Sequence, residues 1–446
     1  MEKVKSTLNI HFLIFVFPRF VLSLFMKKIL LFGAGKSATC LIDYLIAQTV
    51  ADNWMVTIAD ANTQSLQLKT GSFPNIRAVA LNAENENERK ILVKDADIVI
   101  SLLPPTLHIM IARDCIELGK NLLTASYIDE PIKKLQSDIK GKGLFFLYEM
   151  GLDPGIDHMS AMQLIDSIKK KDGKISSFKS HTGGLIAPES DDNPWHYKIS
   201  WNPRNIVRAG SAGAVYKENN KIKKLVYEEL FENCREVTID EGKFAYYPNR
   251  DSLSYIPLYA LEEATTFIRT TLRHPDFCRN WKYIVRAGLT DDKKNIEIKG
   301  LDFKKWSQPV MPFVNPENKS MFAYLGLFDE KPVPASAKTA ADILQYLLET
   351  KLMMHPHDKD MIVMLHELEY TIGAQHTIIN SSLVVKGEDN VRTAMAKTVG
   401  LPLGIAAKLI LHNKINLKGL HIPILPEIYE PVLAELETHD IKFMES

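Results

Sequence analysis

Residues 26–60 read MKKILLFGAGKSATCLIDYLIAQTVADNWMVTIAD, and this stretch decides the fold. Lys28–Phe32 is a short apolar run typical of a β-strand, and a glycine turn follows it directly. The next segment carries apolar residues at helical spacing, namely Ala38, Leu41, Ile42, Leu45 and Ile46. A second strand is predicted over 56–59, and it ends at Asp60. The order of strand, turn, helix, strand and acid predicts a dinucleotide-binding site.

Each part of this stretch has a physical task in such a site. Gly33 permits a tight turn, Gly35 lets the backbone approach a pyrophosphate, and the small Ala38 lets the helix lie close to the strand. The free N–H groups at the helix start favour an anion. Asp60 would accept hydrogen bonds from a ribose hydroxyl and repel a 2′-phosphate, so we expect NAD, with NADP as the alternative. A Rossmann-shaped domain without a cofactor is the competing interpretation.

The composition sets limits on the protein class. With 446 residues the chain is too long for one ordinary core, which predicts two or three domains. It carries 54 basic and 54 acidic residues, so we expect no nucleic-acid partner. The four cysteines (Cys40, Cys115, Cys234 and Cys278) are scattered and lack metal-binding spacing. We therefore expect no metal site and a cytoplasmic location.

The first 25 residues form a separate feature. The segment 10–25 is strongly apolar, but Pro18 and Arg19 interrupt it, and it is short for a membrane span. We interpret 1–25 as an N-terminal apolar extension, with Met26 as the natural start of the folded chain. A membrane-surface anchor and an ordered segment packed on the sheet are the alternatives.

Strands and helices alternate as far as residue 150. Strands are predicted over 78–81, 96–103, 121–125 and 144–148, with helices over 107–118 and 132–142. This alternation predicts an α/β fold with a doubly wound, mostly parallel Rossmann sheet over residues 26–150. Ligands bind beyond the carboxyl ends of such strands, so Ser101, Thr124 and Glu149 are expected to face a pocket. Ordinary capping of strand ends is the alternative for Ser101 and Thr124.

The remainder predicts a second α/β domain with a mixed sheet, the substrate-binding domain, over 151–258 and 356–446. A helical insert is predicted over 259–355. Predicted strands cover 177–182, 198–201, 361–369, 377–379 and 382–386. Predicted helices cover 259–288, 338–350 and 392–412, the last interrupted at Gly400 and Pro402. We also consider that the C-terminal segment returns to the Rossmann domain.

Candidate chemistry concentrates in the segment 149–158, EMGLDPGIDH. Glu149 and Asp157 are candidates for acid–base work beside a nicotinamide, although an acid at the position of Asp157 is also a common helix cap. Arg204, Arg208 and Arg250 stand in polar settings and could bind carboxylates, with solvated surface arginine as the alternative. Arg250 follows a proline turn and is the strongest of the three.

Several longer strings carry a family resemblance. They are SLLPPTLH (101–108), LLTASYIDEP (122–131), YEMGLDPGIDHM (148–159), TGGLIAPESDDNPWHYKISW (182–201), YPNRDS (247–252), TAMAKTVGLP (393–402) and KGL (418–420). In this order they resemble the saccharopine dehydrogenases of the glutamate-forming type. The resemblance implies a Rossmann domain, a mixed α/β substrate domain and a helical part. It also implies reversible NAD(P)-dependent oxidation of saccharopine to L-glutamate and 2-aminoadipate 6-semialdehyde through an imine, in lysine metabolism.

The resemblance further implies roles for individual residues. Those expected at the cofactor are Gly33, Gly35, Lys36 and Ser37 (diphosphate), Asp60 (ribose), and Ser101, Leu102 and Thr124 (nicotinamide). Those expected at the substrate are Ser126, Tyr127, Arg204, Asn249, Arg250 and Asp251. Saccharopine carries three carboxylates and a secondary amine, which is why arginines are expected. We consider a homodimer and expect no membrane partner.

Two departures from the usual family strings keep alternatives open. Pro105 stands where relatives often have tyrosine, and Thr182 where they often have cysteine. A related reductase that makes another carboxylated secondary amine, of the carboxynorspermidine type, is therefore an alternative function. The apolar extension motivates a further alternative, a non-catalytic, membrane-associated relative.

Overall fold

The computed structural model describes residues 26–71, 73–240 and 242–446. The predicted N-terminal extension and the alternatives for it concern residues 1–25, which lie outside the described residues. Two β-sheets organise the described chain, one of seven strands and one of ten.

The first sheet is fully parallel and confirms the doubly wound Rossmann prediction. Its strands, in chain order, are β1 (Lys28–Phe32), β2 (Met55–Asp60), β3 (Ile76–Ala80), β4 (Ile98–Ser101), β5 (Asn121–Thr124), β6 (Phe145–Leu147) and β16 (Gly419–His421). Their spatial order is β16-β6-β5-β4-β1-β2-β3. Alternate residues of β1 enter two different cores: Ile29 and Leu31 on one face, Leu30 and Phe32 on the other.

Helices cover both faces of this sheet. Their bounds are Thr39–Ala51 (preceded by the 3₁₀ turn Lys36–Ala38), Thr63–Thr70, Glu86–Asp95, His108–Leu118 (preceded by the 3₁₀ turn Pro105–Leu107), Glu130–Lys133 and Gln136–Gly141. The helix predicted over 132–142 is therefore two short helices. The helices that follow β1 and β4 both begin at the carboxyl ends of those strands. Ligands bind at this edge of a parallel sheet.

The second sheet is mixed. Its strands are β7 (Lys174–Ile186), β8 (Ala214–Glu218), β9 (Lys221–Leu225), β10 (Arg235–Ile239), β11 (Gly242–Pro248), β12 (Arg250–Asp251), β13 (Thr266–Arg273), β14 (Asp360–Ile372), β15 (Gln375–Lys386) and β17 (Met444–Glu445). The main path runs β10-β11-β13-β7-β14-β15-β17, and β8 joins β13 to β9 and β12. β13 runs parallel to β7, whereas β14 runs antiparallel to it.

Further helices pack around this sheet. Their bounds are Ile156–Lys169, Pro203–Val207, Pro275–Arg286, Phe303–Trp306, Lys319–Leu325, Ala340–Lys351, Ala394–Leu411 and Pro426–Glu437, with 3₁₀ turns at Pro188–Ser190, Tyr227–Glu229, Leu253–Tyr255 and Gln308–Phe313.

Two predictions in this half of the chain were wrong. The segment 259–288 is not helical throughout, because β13 occupies 266–273 and lies buried between β7 and β11. The segment 198–201 is not a strand: only Ile199 makes an isolated bridge, to Met353. Pairing with β7 and β11, which are distant in sequence, gives 266–273 its strand conformation.

The interruption predicted in the last long helix was also wrong, since Ala394–Leu411 is continuous and includes Pro402. Gly400 and Gly404 bring this helix close to the helix Thr39–Ala51. A Cβ on Gly400 would lie 2.9 Å from the Leu41 nitrogen, and one on Gly404 would lie 2.6 Å from Tyr44 Cδ1. The glycines thus serve close packing against the helix that follows the glycine turn.

By length and composition, the helix Ala394–Leu411 could also cross a membrane, with a mean hydropathy of 1.5. In the fold, 67% of it is buried, and its apolar residues belong to the largest hydrophobic core.

Candidate active site

The glycine turn has the geometry of a pyrophosphate-binding turn. Gly33 has a φ of +98°, and a Cβ there would lie 2.8 Å from the carbonyl oxygen of Leu102, so only glycine fits. Among the described residues other than its chain neighbours, none lies within 4 Å of a Cβ built on Gly35, and no side chain caps the helix that begins there. Exposed backbone N–H groups beside open space fit the diphosphate of a dinucleotide. Gly33, Gly35, Lys36 and Ser37 could hold it.

Lys36 lies where the two domains meet. Its ammonium is 4.0 Å from Met353 Sδ, on a segment that follows the helix Ala340–Lys351. Burial lowers the pKa of Lys36, although Glu349 opposes that shift. Ser37 is half-buried beside it. A positive charge at this turn adds to the anion preference of the helix start.

One acidic and one basic side chain contact the backbone of the glycine turn: Asp60, at the end of β2, and Lys69, in the helix Thr63–Thr70. Asp60 Oδ2 accepts the Ala34 N–H at 2.6 Å, and its Oδ1 accepts the Asn62 N–H at 2.7 Å. Lys69 donates its ammonium to the Gly35 carbonyl oxygen at 2.5 Å. Burial lowers the pKa of Lys69 to about 8, against the opposing effect of Asp60. The sequence analysis missed Lys69, because a lysine near the end of a short helix carries no signal of its own.

Three predicted cofactor residues lie at the ends of β4 and β5. Ser101 and Thr124 are fully buried and Leu102 is half-buried. The imidazole of His108 joins two of the predicted residues: its Nδ1 is 2.9 Å from Ser101 Oγ and its Nε2 is 2.7 Å from Ser126 Oγ. Burial lowers the pKa of His108 to about 4, which keeps it neutral. His108 was missed, although it ends the quoted string SLLPPTLH.

A cleft of about 370 Å³ opens beside the carboxyl end of β5. Its polar lining comes from both domains: Tyr127, Lys224, Arg250, Asp251, Ser254, Tyr255 and Arg269. Tyr127 follows β5, and Arg250 lies over its ring at 5.1 Å from the centroid. Arg250 has a φ of +51° and is exposed. Among the described residues, neither Arg250 nor Lys224 has an acidic partner within 4.0 Å, so both can meet an anion.

Arg269 forms the floor of the cleft, and the sequence analysis missed it. Its side chain is 4% exposed, and one guanidinium nitrogen lies 2.6 Å from both Asp153 Oδ1 and Asp157 Oδ2. The guanidinium also lies over the Tyr255 ring, 4.4 Å from the centroid. Burial raises the pKa of Asp153 in spite of Arg269. For Asp157, burial is outweighed by His158 and Arg269, so its pKa lies below the ordinary value. Two acids of different proton affinity thus share one arginine.

Glu149 lies behind the cleft rather than in it. Its carboxylate accepts hydrogen bonds from the Ile128 N–H (3.2 Å), the Tyr255 hydroxyl (3.0 Å) and His158 Nε2 (2.9 Å). The Nδ1 atom of His158 lies 2.6 Å from the hydroxyl oxygen of Tyr259. Glu149 and Asp157 each hold a residue that lines the cleft. Their catalytic assignment stays a prediction.

The other predicted substrate residues have different surroundings. Arg204 donates to Asp342 Oδ1 at 2.9 Å and does not line the cleft, and Arg208 pairs with Asp292 at 2.9 Å. Asp251 lines the cleft, and its Oδ1 caps the turn Leu253–Tyr255 by accepting two N–H groups. The backbone of Asn249 donates to the Arg269 carbonyl oxygen at 2.8 Å. The structure therefore brings Tyr127, Arg250 and Asp251 together and leaves Arg204 elsewhere.

Comparisons with known families cover almost the whole described chain. The model of the saccharopine dehydrogenase NADP binding domain matches residues 29–147. The model of the saccharopine dehydrogenase C-terminal domain matches residues 151–441.

Individual relatives agree with these matches. The chain is 34% identical over 443 residues to the saccharopine dehydrogenase (NADP(+), L-glutamate-forming) of Saccharomyces cerevisiae, covering 92% of this chain and 97% of the yeast protein. It is 34% identical to the mitochondrial alpha-aminoadipic semialdehyde synthase of Mus musculus and 32% identical to the alpha-aminoadipic semialdehyde synthase of Arabidopsis thaliana, each over 94% of this chain. It covers 47% and 44% of those two proteins, about half their length.

A solved structure shows the same architecture. The apo saccharopine dehydrogenase (L-Glu forming) from Saccharomyces cerevisiae superposes with a TM-score of 0.84 at 32% identity, covering 94% of this chain and 99% of the yeast chain. The predicted α/β fold, a Rossmann sheet joined to a mixed sheet, is confirmed by this likeness. With both family models and a full-length relative in agreement, the chain belongs to the saccharopine dehydrogenase family of oxidoreductases.

Proposed function

We propose that this protein is a saccharopine dehydrogenase of the glutamate-forming type: a nicotinamide cofactor takes a hydride from saccharopine, and water hydrolyses the resulting imine to L-glutamate and 2-aminoadipate 6-semialdehyde. One observation carries the proposal. The cationic cleft and the carboxyl edge of the cofactor sheet meet at Tyr127, which follows β5 and lines the cleft. A ligand in the cleft therefore lies beside the edge at which a Rossmann sheet binds its nucleotide.

The charges in the cleft fit a tricarboxylate amine. Arg250 and Lys224 provide two cationic groups free of acidic partners among the described residues, and Arg269 adds a third that is fixed by Asp153 and Asp157. Guanidinium groups bind carboxylates with directional, charge-assisted hydrogen bonds. Asp251, on the same lining, offers a negative group for the secondary amine.

The protein's part in the reaction is orientation and the control of charge. The nicotinamide would accept the hydride when it is bound, and the open space at Gly35 with the uncapped helix start fits its diphosphate. Burial raises the pKa of both Tyr127 and Tyr255, so their hydroxyls stay neutral and donate to Asp153 and Glu149. These hydrogen bonds fix the rings of Tyr127 and Tyr255, over which the guanidinium groups of Arg250 and Arg269 lie.

For the cofactor, we infer a preference for NAD. The carboxylate of Asp60 stands at the end of β2, where it suits a ribose diol and repels a 2′-phosphate. NADP is the second candidate, since the matching family model and the yeast relative carry NADP in their names and Lys69 lies beside Gly35. The position of Asp60 favours NAD because its negative charge would directly repel the 2′-phosphate of NADP.

We also propose the cytoplasm as the protein's location. The four cysteines are free thiols, two of them buried, which suits a reducing compartment.

Initial rates with saccharopine and either NAD⁺ or NADP⁺, followed by the absorbance of the reduced nicotinamide, test the proposal. We expect turnover with both components present and a higher kcat/KM for NAD⁺. Asp60→Ala should lower kcat/KM for NAD⁺ on the order of 10-fold, through loss of the ribose hydrogen bonds. Absence of turnover with both cofactors would reject the function. A higher kcat/KM for NADP⁺ in the unaltered protein would reject only the cofactor preference.

A further inference from the structure

Four side chains converge on the surface of the second domain, away from the cleft. Asp191 and His196 lie on the loop after the turn Pro188–Ser190, while His274 and Asp276 lie where β13 passes into the helix Pro275–Arg286. The two imidazole rings are 3.7 Å apart between centroids. Each of the four side chains is between 22% and 37% exposed, so solvent reaches the cluster.

The hydrogen bonds leave acceptor atoms facing one another. His196 Nδ1 lies 2.6 Å from Asp191 Oδ2, and since a carboxylate can only accept, Nδ1 carries the hydrogen. In the tautomer with a single hydrogen on Nδ1, the lone pair is at Nε2, which is 3.6 Å from Asp276 Oδ2. That oxygen is 3.7 Å from His274 Nδ1, whose single lone pair accepts the Asp276 N–H at 3.2 Å. An ion at this nitrogen would therefore replace that helix-capping hydrogen bond.

The potential ligand atoms of His196, His274 and Asp276 all lie within 4.8 Å of one another. A tetrahedral ion with bonds of about 2.0–2.2 Å holds its ligand atoms roughly 3.3–3.6 Å apart, close to the two separations from Asp276 Oδ2. A cation between them would be attracted by the carboxylate of Asp276 and by the lone pairs of the neutral imidazoles.

We propose that His196, His274 and Asp276 bind a divalent transition-metal ion of the Zn²⁺ class, with water as a fourth ligand. Two imidazoles and one carboxylate suit Zn²⁺, Co²⁺ or Ni²⁺, whereas Mg²⁺ and Ca²⁺ prefer sites made of oxygen alone. Asp191 is a positioning residue that fixes the tautomer of His196, as carboxylates commonly do behind metal-binding histidines. The guanidinium of Arg279 holds Oδ1 of Asp276 and leaves Oδ2 for the ion.

The ion would act as a structural clamp. It would tie the loop that carries Trp195 to the start of the helix that carries Trp281, two buried rings that already meet edge to face. None of the four side chains lines the cleft, so the site is distinct from the proposed active site. Because the ion would bind the folded chain and not the unfolded one, it would raise the temperature of unfolding.

Equilibrium dialysis of tag-free, chelator-treated protein against Zn²⁺ tests the proposal, with bound metal measured by mass spectrometry. We expect about one Zn²⁺ per chain, a higher melting temperature with Zn²⁺ than without, and tetrahedral Co²⁺ absorption in the Co²⁺-loaded protein. A wild-type chain that binds no Zn²⁺, or whose melting temperature Zn²⁺ leaves unchanged, would overturn it.

Variants locate the site. His196→Gln and His274→Gln should each weaken Zn²⁺ binding at least about 10-fold, and Asp191→Asn on the order of 10- to 100-fold. His376→Gln, an exposed histidine at the hairpin of β14 and β15, is the matched control and should bind Zn²⁺ like the wild type. If His274→Gln unfolds through loss of its helix cap, His196→Gln and Asp191→Asn carry the test. Wild-type affinity in both of those variants would place the metal elsewhere and refute the assignment.

Discussion

At the scale of single residues, the local part of the site could be predicted and the distant part could not. Gly33, Gly35 and Asp60 lie within one strand–helix–strand unit, so their spacing along the chain reports their geometry. Arg269 lies in the segment 259–288, which was predicted to be helical, and it meets Asp153 and Asp157 only through the tertiary fold. Arg204 was expected at the substrate from resemblance, but its guanidinium is engaged by Asp342.

Arg250 is the residue whose role in binding can be tested most simply. Arg250→Met keeps an unbranched side chain and removes the guanidinium that lies over Tyr127, so we expect the KM for saccharopine to rise about 10- to 100-fold. Steady-state kinetics measure this. Arg204→Met is the matched control and should leave KM unchanged, because its guanidinium pairs with Asp342. Equal KM values for the wild type and Arg250→Met would remove Arg250 from the substrate site.

His108 should give the protein a specific pH dependence. Burial places its pKa near 4 in the folded state, against about 6.5 in an unfolded chain. Between these values the unfolded state binds a proton that the folded state does not, so stability falls as the pH drops from about 6.5 to 4. This one group accounts for at most about 3 kcal/mol.

Urea unfolding at a series of pH values measures the effect. His108→Gln should lose stability less steeply than the wild type below pH 6.5, while the difference between the two proteins should stay constant above pH 7, where His108 is neutral in both states. Parallel curves down to pH 4 would contradict a buried, neutral His108.

At the scale of elements, the long helix Ala394–Leu411 shows what a sequence pattern leaves open. Glycine and proline predicted an interruption, since both disfavour helix interiors. In the structure Gly400 and Pro402 lie inside one continuous helix. Gly400 and Gly404 allow the helix Thr39–Ala51 to pack closely against it. Strand β13 is a similar case, because its neighbours β7 and β11, distant in sequence, supply its hydrogen bonds. Alternation of strands and helices sufficed for the Rossmann sheet, whose neighbours are mostly close along the chain.

The packing of these two helices predicts a specific cost. Gly404→Ala would place a Cβ 2.6 Å from the Tyr44 ring, so we expect a loss of about 1–3 kcal/mol in the free energy of unfolding. The KM for the cofactor should also rise, since Tyr44 belongs to the helix that begins at the glycine turn. Urea denaturation and kinetics provide the two measurements.

The matched control is Gly141→Ala, at the end of the helix Gln136–Gly141, where a Cβ meets nothing within 4 Å. It should be neutral or stabilise by up to about 1 kcal/mol. If both substitutions leave stability unchanged, the close approach of the two long helices is not a constraint on this fold.

At the scale of the whole molecule, function depends on two sheets that meet at one edge. The parallel sheet presents the glycine turn and Tyr127, and the mixed sheet presents Arg250 and Arg269, so the cleft exists only when both have folded. The chain's balanced charge of 54 basic and 54 acidic residues conceals this local cationic cleft. The overall composition could therefore not indicate the substrate.

Product analysis after incubation with saccharopine and NAD⁺ tests the central claim most directly. We expect mass spectrometry to detect L-glutamate and 2-aminoadipate 6-semialdehyde, with glutamate formed in proportion to the NADH released. The secondary-amine nitrogen of saccharopine should remain in the glutamate. Lysine and 2-oxoglutarate as products, or unchanged saccharopine with both NAD⁺ and NADP⁺, would contradict it.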